Sequence, residues 1–185
     1  MEKFDYKLPL RFGMICFVAV LVLGMLMYIF YEKIASSFMF YIAIGVVMLA
    51  FVLFLGVWSG ITYRRENGGL ISLGHAFGAV YIVFVMYLLS GTVSQLLINK
   101  VIDPQYPVKL SSLIKQKMED RFESMNMSDE DQKNALSGIT PEKFSPPMIE
   151  IAKSMGISLA VSAFVALLIA LFIKRGSEDL INVNG

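Results

Sequence analysis

What this chain lacks narrows its chemistry first. Its 185 residues include one cysteine and one histidine. Cys16 has no partner for an internal disulfide, so cysteine usage does not indicate a redox compartment. Cys16 and His75 together fall short of a zinc site built from several His and Cys ligands. The net charge is +1, too small an imbalance to point to nucleic acid or a broadly acidic partner. There is no G-x-x-x-x-G-K-[ST], no H-E-x-x-H and no dinucleotide fingerprint, and no cofactor is implied.

Charge is also missing from long stretches. Phe12–Tyr31, Ser36–Tyr63 and Ser154–Ile173 carry none, and Gly68–Asn99 has His75 as its one ionisable side chain apart from tyrosines. A hydrocarbon core of ~30 Å needs about 20 helical residues, and each run reaches that length. None alternates polar and apolar residues with a period of two, which argues against strands. A backbone in lipid must satisfy its own hydrogen bonds, so four transmembrane helices are expected. The absence of Asp and Glu from these runs excludes an intramembrane aspartyl protease and most cation relays. Lys3, Lys7 and Arg11 precede the first run as in a secretory signal, but the run is too long and no clear A-x-A site follows, so a retained helix is expected.

What is present is organised around these runs. The overall composition is 56% apolar with a mean hydropathy of +0.65. Tyr28, Tyr31, Phe38, Tyr41, Trp58 and Tyr63 stand near the expected interfaces, as an aromatic belt would. Glu32–Ala35 reads as a tight turn. Arg64-Arg65-Glu66-Asn67-Gly68-Gly69 reads as a turn with two glycines free to take positive φ. Lys100–Lys153 is hydrophilic, with eight Lys/Arg and nine Asp/Glu. Within it, Pro104 and Pro107 suggest an extended lead-in. Leu110, Leu113, Ile114, Met118, Phe122 and Met125 then form one face of an amphipathic helix. The mixed charges on that helix favour packing within the segment over attraction to anionic lipid, with partner binding as the second reading. Ser128 before Asp129-Glu130-Asp131 reads as an N-cap with an acidic first turn, since the acids lack calcium-loop spacing. Gly138 ends that helix. Thr140-Pro141 and Ser145-Pro146 read as two further helix starts, the last running into the fourth span.

Four spans place both termini on one side. Lys3, Lys7, Arg11, Arg64, Arg65, Lys174 and Arg175 gather there, close to membrane ends, so cytoplasmic termini are expected. Arg64, Arg65, Lys174 and Arg175 are the candidate membrane-end anchors.

The candidate helix-packing residues are small. Gly56 and Gly60, and Gly74 and Gly78, form two G-x-x-x-G pairs; Ser154, Ser158, Ser162, Ala166 and Ala170 recur every fourth residue. Such ridges allow close helix approach, and packing inside the four-helix bundle is preferred over a dimer interface. His75 is the candidate polar intramembrane residue, though it lies about two turns from Arg65 and could reach headgroups. Ser59 with His75 could suggest an intramembrane serine hydrolase, but Gly56-Val57-Trp58-Ser59-Gly60 is not a G-x-S-x-G elbow.

The stretch Tyr63-Arg64-Arg65-Glu66-Asn67-Gly68-Gly69-Leu70-Ile71-Ser72-Leu73-Gly74-His75-Ala76-Phe77, with Ile102-Asp103-Pro104, resembles the bacterial membrane family called domain of unknown function 4199, frequent in the Bacteroidota. The resemblance covers nearly the whole chain. Where the family pattern often has Gln, this chain has His75. The family carries no established activity, so the resemblance implies location and architecture and transfers no catalytic residue. In physical terms, Arg64 and Arg65 anchor the turn, the glycines reverse the chain, and Ser72 can cap the next helix.

The expectation is an all-α membrane protein with four transmembrane helices and a helical extracytoplasmic insert between the third and fourth. Residues 1–99 form the tail and first three helices, 100–153 the insert, and 154–185 the fourth helix and a cytoplasmic tail. The location expected is the bacterial cytoplasmic (inner) membrane. The leading function is a non-enzymatic membrane component or interaction partner in the lipid bilayer, acting through helix packing and the extracytoplasmic insert, as a homo-oligomer or with a membrane-protein partner. A small-solute or proton-linked transporter is the first alternative and an intramembrane serine hydrolase the second.

Overall fold

The structure is a computed structural model that describes residues 4–35, 38–125 and 127–174, with side chains outside 34–41. Of the described residues 86% are helical and none forms a strand. The helices are α1 (Lys7–Ile29), α2 (Tyr31–Ala35), α3 (Phe38–Glu66), α4 (Leu73–Leu97), α5 (Tyr106–Ser124), α6 (Asp129–Ser137), α7 (Pro141–Phe144) and α8 (Met148–Ile173). Four helical stretches are long and apolar enough to cross a membrane: Lys7–Ile29, Ile42–Glu66, Leu73–Ile102 and Met148–Ile173. The protein is a multi-pass membrane protein.

Local chemistry sets the helix ends. The first helix starts at Lys7, five residues before the charge-free run, because the Asp5 carboxylate accepts the Lys7 N–H at 2.9 Å and Pro9 tolerates a first helical turn. The turn after α1 contains the short helix α2. After α3, Gly68 (φ 73°) and Gly69 (φ 88°) reverse the chain, the conformation that favours glycine. The Gly69 N–H bonds the Arg64 carbonyl at 2.9 Å. The third span therefore begins at Leu73, not Gly68. Ser72 caps it by accepting the His75 N–H at 3.3 Å.

At its other end, α4 continues beyond Asn99 through one wider turn, Ile98–Ile102, closed by the Asp103 N–H on the Ile98 carbonyl at 2.9 Å. Pro107 is not extended lead-in; it sits in the first turn of α5, where a missing N–H costs nothing. Ser128 caps α6 by accepting the Asp131 N–H at 3.3 Å. Ser145-Pro146 does not start the last helix; Pro147 occupies the N-cap and α8 begins at Met148.

The central helix is α4. It packs against α1, α3 and α8, while α3 also touches α1 and α8. The buried apolar core lies toward the chain termini: Leu55 and Tyr63 of α3, Ala76, Ala79, Val80 and Val83 of α4, and Ala166, Ala170 and Ile173 of α8. At the opposite end, α5 packs on α2, α6 and α7. The face from Leu110 to Phe122 is half-buried, and Met125 is exposed.

Candidate functional site

The polar side chains of the spans are the natural place to look for chemistry, because lipid leaves them no solvent. At three of them the hydroxyl reaches a backbone carbonyl on another span. Ser59 of α3 donates to Ala79 of α4 at 2.8 Å. Ser90 of α4 donates to Phe17 of α1 at 2.6 Å. Tyr81 of α4 donates to Leu159 of α8 at 3.5 Å. Helix α4 is thus tied to each of the other three. The Ser59 hydroxyl hydrogen is committed to a carbonyl, not offered to His75.

His75 faces the pre-helical segment. Its ring lies 5.6 Å from Phe4 and 6.2 Å from Tyr63, and those two rings are 5.2 Å apart. The Asp5 N–H donates to the Tyr63 hydroxyl at 3.1 Å, which fastens the N-terminal segment over the end of the bundle. Among the described residues, no group of three His, Cys, Asp or Glu could hold a metal ion.

The small residues divide by position. A Cβ on Gly56 would stand 3.0 Å from Phe84 Cε1, and one on Gly60 would stand 2.6 Å from Ile173 Cδ1 and 3.2 Å from Val80 Cγ2. A Cβ on Gly78 would meet the Phe4 ring at 3.0 Å. Gly74 is exposed, and its Cβ would meet the Ser72 hydroxyl at 3.9 Å and no neighbouring helix. Along α8, Ala166 and Ala170 are fully buried, Ser162 and Ser158 half-buried, and Ser154 exposed. The ridge thus follows α4 closely at the terminal end and leaves it at the other.

The anchors also differ. Arg64 donates through Nη1 to the Ile173 carbonyl at 3.1 Å and so satisfies an open carbonyl at the end of α8. Arg65 and Lys174 are exposed. Arg175 lies outside the described residues, as do the side chains of Phe38 and Tyr41. Trp58 packs against Phe12 at 5.9 Å and Phe54 at 5.2 Å and remains half-exposed.

Sequence reasoning missed the polar contacts at the opposite end of α4. Asn99 Nδ2 donates to the Phe144 carbonyl at 2.7 Å, and Gln95 Nε2 reaches the same oxygen at 3.4 Å. Tyr106 sets its ring edge-on to Tyr28 at 5.2 Å and Tyr31 at 5.4 Å. The α5–α7 segment is therefore held to the bundle from two sides. Beneath it, two recesses flank α4. A crevice of about 390 Å³ between α4 and α8 contains Thr92, Gln95, Glu150 and Ser158. A groove of about 530 Å³ lies between α1, α3 and α4.

The family model described as "Protein of unknown function (DUF4199)" matches residues 11–175. The chain belongs to this family. No curated protein and no solved structure matches it. The DUF4199 match takes in all three hydroxyl ties, the Asn99 contact and the α5–α7 segment. It begins after Phe4, whose ring lies against His75, and Asp5, which bonds Tyr63.

Proposed function

We propose that this DUF4199 protein is a non-enzymatic component of a bacterial cytoplasmic membrane that holds α5–α7 in a fixed pose as a contact surface for a membrane-protein partner or a second copy. In this reading the termini are cytoplasmic, residues 100–153 form an extracytoplasmic unit, and 1–99 with 154–185 form the membrane part. Gly56, Gly60, Gly78, Ala166 and Ala170 serve packing within the bundle.

The Asn99 bond to the Phe144 carbonyl carries the proposal. A buried amide fixed to a backbone oxygen 45 residues along the chain orders the segment relative to the membrane. The hydroxyl ties support the non-enzymatic reading, because a serine that donates to a helix carbonyl has no base to activate it. Sidedness rests on the seven Lys/Arg at the terminal end.

Two measurements test it. In a Cys16→Ser background, Met125→Cys should react with a membrane-impermeant maleimide on intact cells; labelling only after lysis would overturn the sidedness. A photo-crosslinking residue at Met125 should give one discrete adduct in native membranes that Asn99→Ala weakens. A smear, or an adduct indifferent to Asn99, would overturn the posed-surface reading.

A further inference from the structure

Away from the termini, α3 leaves the bundle. Ile42, Val46, Val47 and Leu49 are exposed, and among the described residues a Cβ on Gly45 or Gly91 would meet nothing within 4 Å. The space opened between α1, α3 and α4 is the groove of about 530 Å³. Its floor is shut, because α1 and α4 approach so closely that a Cβ on Gly24 would run into the Ser94 hydroxyl.

The groove has direction. Val20, Leu23, Ile44 and Met48 make its deep part apolar, while Asn99 and Lys143 stand at its outer end. Among the described residues Lys143 is the one charged side chain in the lining, which contains no carboxylate; Lys143 also borders the crevice between α4 and α8, where Glu150 stands. Along α4 the lining runs from Tyr87, at the middle of the Leu73–Ile102 span, to Asn99. Twelve helical residues cover about 18 Å. One leaflet of a ~30 Å hydrocarbon core is about 15 Å deep. The groove therefore reaches from the bilayer centre to the headgroup level of one leaflet.

We propose that this groove binds one acyl chain of an anionic phospholipid from the leaflet adjoining α5–α7, with the phosphate beside Lys143. The inference goes beyond the contact-surface reading and does not depend on sidedness. A single chain matches the apolar depth of one leaflet, and Lys143 at the outer end complements an anionic head.

The test uses the full chain in phosphatidylcholine vesicles doped with phosphatidylglycerol carrying a diazirine-tailed acyl chain. After irradiation and digestion, label should concentrate on Val20–Met27 and Ile44–Met48 over Val161 and Phe164, exposed residues of α8 that report ordinary surrounding lipid. Gly91→Phe should fill the groove and abolish that excess. Lys143→Gln should reduce it about fivefold, the effect of one basic residue at an anionic surface. Gly45→Phe fills the groove from the opposite wall, so failed folding of one variant leaves the other to decide. Even labelling of both faces, or groove label indifferent to filling, would overturn the proposal. A chain-to-chain crosslink through Ile44–Met48 in place of lipid label would overturn it in favour of a second copy.

Discussion

The two ends of the bundle are built differently. Toward the termini, the buried side chains are mostly apolar, Ser59 being the polar exception among the described residues, and small ones line the crossings: Ala76, Ala79, Val80, Val83, Ala166 and Ala170, met by Gly56 and Gly60. Toward α5 the buried set turns polar, with Ser90, Ser94, Asn99 and Ser111 beside Ile98. Lipid tails are as apolar as leucine, so helices in a membrane gain little by hiding apolar surface from them; small residues permit close packing and polar groups tie helices together. One end of this protein uses the first means and the other end the second. Where small residues stop meeting α4, α3 and α8 diverge and the two recesses open.

Opposite responses to enlarging a glycine test that contrast most strongly. Gly60→Leu should destabilise the fold by about 1–3 kcal/mol, the usual cost of overpacking, because Ile173 and Val80 already crowd the site. Gly91→Ala should stabilise by up to ~1 kcal/mol through helix propensity, since its Cβ enters open space. Thermal midpoints in detergent micelles read both. Equal shifts of the same sign would erase the distinction between the two ends.

A smaller and more local effect is expected at the clamp. Asn99→Ala removes the donor that holds the Phe144 carbonyl and should cost about 1 kcal/mol, the net worth of one such bond. The loss should appear as faster hydrogen exchange in residues 139–147, with the amides of Ala76–Val83 unchanged. Faster exchange throughout would mean that the clamp supports the bundle and not only the segment.

These sites also show what sequence can and cannot reveal. The four spans, the Gly68-Gly69 reversal and the caps at Ser72 and Ser128 were legible because each rests on local chemistry: a run without charge, a positive φ, a side-chain oxygen before a helix. The extent of the small-residue ridges was not. Ser154 and Ala170 share one period, yet one is exposed and the other buried, because helix divergence is a property of the pair. Gly74 and Gly78 likewise read as one motif, but Gly78 meets the Phe4 ring and Gly74 meets no helix. Asn99 and Gln95 find Phe144 across more than 40 residues, and no periodicity encodes that match. Ser90 and Ser94, four residues apart on α4, carried the same small-residue signal as Ser158 and Ser162 and could have been found by it.

The hydroxyl ties should have weaker effects than either end's main device. Ser59→Ala and Ser90→Ala should each cost about 0.6 kcal/mol, the average for an interhelical hydrogen bond in a membrane. Both serines are fully buried, so the two losses should be similar although one lies toward the apolar end of the bundle and the other toward the polar end. A much larger loss for Ser90→Ala in thermal unfolding would show that the polar end depends on its hydroxyls more than the apolar end does.

The faintest expected effect lies where α4 hands over to α5. Lys109 Nζ meets Asp103 Oδ2 at 2.7 Å. The bond from Lys109 holds the Asp103 carboxyl below its ordinary range, with the Gln105 N–H adding to the effect, and Asp103 in turn raises Lys109. A depressed carboxylate contributes above its unfolded pKa, about 3.9, and loses its contribution as pH falls through the lower folded value. A raised lysine contributes below about 10.4 and loses its contribution as pH rises through the higher one. The pair should therefore hold the turn evenly across neutral pH and release it only in strong acid or base. Asp103→Asn should loosen residues 103–109 at neutral pH and remove the acid dependence there. Proteolysis of that turn across a pH series measures both. An acid transition that survives in Asp103→Asn would assign it to another carboxylate, with Glu142, whose pKa is lowered by its own backbone N–H and by Thr140, the next to mutate.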